Sequence, residues 1–128
     1  MKQSDHNPSQ DQTIQLVLRF NEALNRKDVD GMMALMTEAP VFENTYPPPD
    51  GARYAGSAAV RSFWEEFFTG SQQASIEVEE IFAAGNRCIM LWKYRWVGLD
   101  GAAGHIRGVD VYTVEGNRIA AKKSYVKG

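Results

Sequence analysis

The stretch "HIRGVDVYTVEGNRIAAKKSYVKG", residues 105–128, decides how the chain is read. Apolar and polar residues alternate on both sides of "EGN", the pattern of two strands joined by a tight turn. Upstream, "SIEVEEIFAA" (75–84) alternates, "GN" turns, "RCIMLWKYRWVG" (87–98) alternates again, and "LDGAAG" (99–104) supplies another turn. Four such runs in succession predict an antiparallel meander.

The first half reads differently. Ser9 with Gln12 three residues on forms a capping box. Ile14, Val17, Leu18, Phe20 and Leu24 then mark one face of a helix ending near Arg26. Asp28 caps a short second helix carrying Met32, Met33, Leu35 and Met36, which Pro40 ends. "VFENT" (41–45) is a short strand, and the proline- and glycine-rich "YPPPDGARYAG" (46–56) a loop, read as a stiff rim. Ser57 caps a third helix whose Val60, Phe63, Trp64, Phe67 and Phe68 form an apolar stripe, with Gly70 as its stop. Helices first and a meander after predict an α+β fold, with the helices on one face of a curved sheet. The polar residues 1–8 read as a disordered tail, and 9–128 as one domain.

Strand parity sorts the side chains. Cys88, Met90, Trp92, Tyr94 and Trp96 share one face with Ile106, Gly108, Asp110, Tyr112 and Val114. This large aromatic face is expected to meet the helices. The other mixes Ile89, Leu91, Val97, Val109 and Val111 with Lys93, Arg95 and Arg107, and reads as a subunit interface or a solvent face. Parity therefore sends Asp110 inward. A buried carboxylate needs partners or loses its charge, so Asp110 is either a hydrogen-bonded structural residue or a functional acid.

Composition removes several functions. A net charge of −2 gives no basic surface for nucleic acid. No run approaches a membrane span, and the N-terminus lacks the apolar core of a signal peptide. The single cysteine, Cys88, cannot form an internal disulfide, suits a reducing cytoplasm, and reads as a small buried hydrophobe. With no Cys/His cluster, no metal site is expected. His105 reads as an exposed turn residue, and Lys122, Lys123 and Lys127 as a solvated strand edge.

The element order, together with "AVRSFWEEFF" (59–68) and "GVDVYTVEGNRIA" (108–120), resembles the NTF2-like superfamily, which includes ketosteroid isomerases, SnoaL-type polyketide cyclases and limonene epoxide hydrolase. The resemblance implies an NTF2-like cone: three N-terminal helices on a curved, mainly antiparallel sheet enclosing an apolar pocket, with a homodimer through the outer sheet face. It implies Asp110 as the acid/base or oxyanion residue, and Glu43, in "EAPVFEN", as the catalytic base. Phe20 falls where the isomerases place an oxyanion tyrosine, and Trp64 where an aromatic lines the pocket. Met90, Trp92, Tyr94 and Tyr112 complete the expected pocket. The chain departs from the cyclases in carrying "AKKS" in its last strand, and from the epoxide hydrolase in placing Ser124 where that enzyme has an aspartate. The expected ligand is a small lipophilic molecule, steroid- or polyketide-like. Three readings follow: a cofactor-independent isomerase or cyclase acting on an apolar carbonyl compound, a non-catalytic dimeric binding protein for such a ligand, or a purely structural dimer with a filled core, which a pocket well under about 300 Å³ would favour.

Overall fold

The structure, a computed structural model, describes residues 9–70 and 73–127; the tail expected over 1–8 lies outside them. The elements are α1 (Gln10–Asn25), α2 (Val29–Ala34), β1 (Met36–Glu43), β2 (Arg53–Ala55), α3 (Ser57–Gly70), β3 (Gln73–Ala84), β4 (Arg87–Val97), β5 (Ala103–Glu115) and β6 (Arg118–Val126). One six-stranded sheet runs in the order β2-β1-β6-β5-β4-β3. It is curved and unclosed, and the helices pack on it. The meander from β3 to β6 is antiparallel throughout, as the alternation predicts.

α1 begins as its sequence dictates. The Ser9 side chain accepts from Gln12 N, and the Gln12 side chain accepts from Ser9 N. Its inner face buries Leu16, Val17, Phe20, Ala23 and Leu24. Asn21 and Asn25 donate to the Ile76 carbonyl at 3.1 and 3.0 Å, and Ile76 N donates back to Asn25, which pins the start of β3 to the end of α1. α3 presents the expected stripe, with Val60 and Trp64 buried and Phe63, Phe67 and Phe68 packed against the core.

Two local readings are corrected. The second helix stops at Ala34, and Met36 and Pro40 lie inside β1, not in or at the end of a helix. β1 pairs parallel with β6, and its register shifts between Met36 and Val41, so Pro40 sits in an irregular stretch that tolerates a residue without an N–H. The proline-rich loop also contains a strand, β2, which pairs antiparallel with β1.

β1 changes the status of β6. Read as the last strand of a meander, β6 would be an edge. Instead it lies between β5 and β1, deep in the sheet. The lysines of "AKKS" are therefore not a solvated strand edge, and Lys122 is only 4% exposed. A second irregularity fixes its direction. Val114 pairs with Ile119 but Thr113 with Ala121, so β6 carries one extra residue, Ala120. Regular alternation from the inward-facing Ile119 would turn Lys122 outward. The bulge reverses that parity, and Lys122 opposes Tyr112 on the inner face while Ser124 opposes Asp110.

Candidate functional site

Asp110 is 1% exposed and lies on the inner face of β5, as parity predicts. Its partners come from β5 and β6. Ser124 donates to Oδ1 at 2.6 Å, Lys122 Nζ lies 3.2 Å from Oδ2, and the Tyr112 hydroxyl donates to Oδ2 at 3.4 Å. Lys122 also donates to Ser124 Oγ at 3.1 Å, which closes a ring of carboxylate, ammonium and hydroxyl. The apolar surroundings expected for Asp110 are thus replaced by a buried counter-ion.

The ammonium is enclosed by rings. Lys122 Nζ lies 4.7 Å from the centroid of Phe42, 5.5 Å from Trp64 and 6.0 Å from Tyr112. A desolvated cation over aromatic faces gains from the ring quadrupoles, by about 2 kcal/mol or more per good contact. The Tyr112 hydroxyl is pushed well above its ordinary value, first by burial and then by the Asp110 charge. It stays protonated and serves as a donor to the carboxylate.

Above this ring lies a cavity of about 120 Å³, lined by Phe42, Asn44, Thr45, Phe63, Trp64, Phe67, Ile76, Trp92, Tyr94, Ile106, Asp110, Lys122 and Ser124. Its walls are mostly apolar, and the only charged groups among the lining residues are Asp110 and Lys122. The indole N–H groups of Trp64 and Trp92 are buried and have no partner in the protein among the described residues.

A model of the SnoaL-like domain matches residues 17–122. The chain belongs to that family. An NTF2-like protein of unknown function from Mesorhizobium loti is 35% identical, with 95% of this chain and 98% of that chain covered, and superposes with a TM-score of 0.77. Two more distant structures share the fold. A limonene-epoxide-hydrolase-like enzyme of M. tuberculosis is 19% identical over 94% of this chain and 86% of its own, with a TM-score of 0.78. The epoxide hydrolase/cyclase-like enzyme SalBIII of salinomycin pyran-ring formation is 19% identical over 91% and 92%, also at 0.78. Among curated proteins none matches.

Within this SnoaL-like chain the expected site residues separate into three groups. Asp110, Trp64, Trp92 and Tyr94 line the cavity together. Phe20, Met90 and Tyr112 lie beneath it, fully buried; Phe20 meets Tyr112 edge-on with centroids 6.1 Å apart. They shape the floor rather than touch a ligand, although Tyr112 reaches Asp110.

Glu43 is the correction. It pairs across strands with Arg53, whose Nη1 lies 3.1 Å from its carboxylate, and it does not line the cavity. Its neighbour Phe42 faces inward, packed against Phe63 and Trp64 at 5.0 and 5.1 Å, and alternation sends Glu43 the other way. Glu43 and Asp110 therefore do not flank one substrate. Lys122, Ser124 and Tyr112 are the residues around Asp110 instead.

Two further readings can be placed. Cys88 is fully buried and its thiol is pushed up to about 11 by desolvation, so it is no nucleophile near neutral pH. His105 is exposed, on β5 beside Arg95. Among the described residues, no three or more His, Cys, Asp or Glu side chains are grouped to hold a metal ion, and no helix is long and apolar enough to cross a membrane.

Proposed function

We propose that this SnoaL-like protein is a cofactor-independent isomerase or cyclase for a small apolar carbonyl compound, with Asp110 moving the proton and Lys122 meeting the carbonyl oxygen. The observation that carries the reading is the buried Asp110–Lys122 pair at the floor of a mostly apolar cavity. Opposite charges shielded from water are expensive to keep, and removing one partner is strongly destabilising, so a pair lining a cavity rather than filling a core calls for a use.

The roles follow from the donors and acceptors. A carboxylate against an apolar wall can take a proton from the carbon next to a carbonyl. Charge then develops on the carbonyl oxygen. Of the three N–H donors of Lys122, one goes to Ser124, and the ammonium is ion-paired with Asp110. A remaining donor can meet a ligand oxygen, in a site where water is scarce and an electrostatic contact is correspondingly strong. Ser124 holds both groups in place, accepting a hydrogen bond from Lys122 and donating one to Asp110.

Cavity size narrows the substrate. About 120 Å³ is well below the roughly 300–1,000 Å³ of sites that enclose drug-sized ligands, which favours a filled structural core over a large ligand and limits any substrate to a small one. A fused steroid skeleton would not be enclosed. A single ring or a short branched chain fits, with any longer tail leaving past Asn44, Thr45 and the half-exposed Ile106.

The test is proton exchange next to a carbonyl. Small cyclic ketones are incubated with the protein in deuterated water and the loss of the α-proton signal is followed by NMR. Catalysed exchange that falls by about 10²-fold or more in Asp110→Asn supports the reading. Exchange equal in wild type and Asp110→Asn overturns it. A second reading, a non-catalytic dimeric binding protein, is favoured by the two hydroxyl donors and the ammonium that already occupy the Asp110 oxygens. Ketone binding without any exchange is the result that would select it.

The same proposal includes a homodimer through the outer sheet face. There Ile89, Leu91, Val109 and Val111 are only partly covered, Phe82 and Tyr125 are 46% and 53% exposed, and the ion pairs Arg95–Glu77 and Arg107–Glu79 flank them. An apolar centre with a charged rim is the anatomy of an association surface. Sedimentation of the wild type against Leu91→Glu tests it, with a monomeric wild type as the contrary outcome.

A further inference from the structure

We propose that Lys122 is a covalent carbonyl trap: its amine condenses with the substrate's aldehyde or ketone to form an iminium. The inference rests on the acid/base reading above for its substrate class, and goes beyond it in making Lys122 a nucleophile.

Four observations converge on Nζ. It belongs to a cavity-lining residue. Its side chain is 4% exposed, so little water surrounds the amine. Three aromatic rings surround it, Phe42, Trp64 and Tyr112, and none can accept its proton as a base. One carboxylate, Asp110 Oδ2 at 3.2 Å, can. A lysine in a desolvated aromatic pocket with an adjacent proton acceptor is the setting in which the amine becomes nucleophilic. A surface lysine has neither the desolvation nor the fixed acceptor. A lysine serving only to neutralise Asp110 would need no wall of the cavity.

The step balances within the site. Lys122 passes one proton to Asp110, and the freed lone pair attacks the carbonyl carbon while the C=O π pair moves to oxygen. Asp110 returns its proton to that oxygen, giving a carbinolamine whose nitrogen is still positively charged. That nitrogen releases a second proton through Asp110 to the hydroxyl, which leaves as water as the C=N bond forms. An ammonium and a carbonyl have become an iminium and one water, with Asp110 ionised before and after. The charge on nitrogen is conserved, so the ion pair with Asp110 persists in the adduct. The iminium withdraws electrons from the neighbouring C–H, which is the bond Asp110 is placed to break.

The experiment uses the full-length protein with cyclohexanone and sodium cyanoborohydride, which reduces an iminium to a stable secondary amine. Intact mass and peptide mapping locate the label, and α-proton exchange is measured on the same samples. The expected result is one cyclohexyl group on Lys122 ahead of every exposed lysine, with loss of exchange as the label accumulates. Lys122→Arg, which keeps the charge but not the nucleophile, loses the label. Asp110→Asn slows labelling at Lys122 and leaves the exposed lysines unchanged. This readout uses the natural lysine and does not depend on how Lys122→Arg folds. Label confined to exposed lysines while exchange continues overturns the inference and leaves the acid/base reading standing. Absence of both label and exchange overturns both.

Discussion

Replacing Lys122 with methionine removes the ammonium and keeps most of the side chain's length. Asp110 is then left 1% exposed with two hydroxyl donors and no counter-ion. Breaking a buried pair on one side costs about 3–5 kcal/mol, because the surviving charge remains desolvated. The side chains of the pair are 4% and 2% exposed, so the discount that applies to surface pairs does not apply here. At about 2.1 cal/mol/K of unfolding entropy per residue, a chain of 128 residues should lose roughly 11–19 °C in Tm. Thermal unfolding followed by circular dichroism at pH 7 gives the shift. Asp110→Asn alone strands the ammonium and should also be costly. The double variant carries no stranded charge and should lose clearly less than the two single losses added together. A coupling of about 1.5 kcal/mol or more is expected for groups in direct contact. Additive losses, or a Lys122→Met shift of only a few degrees, would show that water reaches the pair and that the desolvation on which the catalytic reading depends is absent.

Glu43→Gln should leave α-proton exchange unchanged, since Glu43 is bound to Arg53 outside the cavity, and should cost about 0.2–1 kcal/mol as a partly exposed pair does; parallel exchange and unfolding assays separate the two effects. Cys88 has its thiol raised from 9.0 to about 11 by burial, so its stabilising contribution is complete below pH 9 and is lost as pH rises towards 11. Tyr112 is raised from 10.0 and adds a loss of the same sign only above pH 10. Cys88→Ala should therefore flatten the stability profile between pH 9 and 10, and denaturant unfolding across that range checks it. Gly108→Ala would bring a methyl group within 2.5 Å of the Trp92 ring and against the Tyr125 carbonyl. Trp92 must move, which should alter tryptophan fluorescence and weaken ketone binding. Unchanged emission would mean that the ring does not depend on the missing side chain.

The fold was largely legible because its signals are local. A capping box, an aromatic helix stripe and four alternating runs each depend on residues close in sequence, and each is in place. The failures were of another kind. β1 starts at Met36 rather than Val41 because a run of methionines fits a helix or a buried strand equally well, and its parallel pairing with β6 joins residues 80 or more apart in the chain. No local pattern announces such a pairing. Three residues, "RYA", are too few to betray β2 inside a proline-rich loop.

The site follows the same division. Asp110 was legible because β5 alternates regularly around it and a buried carboxylate stands out against Val109, Val111 and Tyr112. Phe42 was legible in principle: in "VFE" only one of Phe42 and Glu43 can face the core, and apolar burial selects the phenylalanine. Giving Glu43 the catalytic place set a family position against that parity, and the parity prevailed. Lys122 was hidden twice over. Its burial depends on β1 covering β6, and its inward direction depends on the bulge at Ala120, which reverses the alternation set by Ile119. The consequence is chemical as well as topological. With no bulge, Lys123 would face inward and Lys122 outward, and the ammonium that now meets Asp110 would lie on the far side of the sheet. The bulged register thus sets Lys122, and not Lys123, beside Asp110, and makes the aspartate half of a buried ion pair.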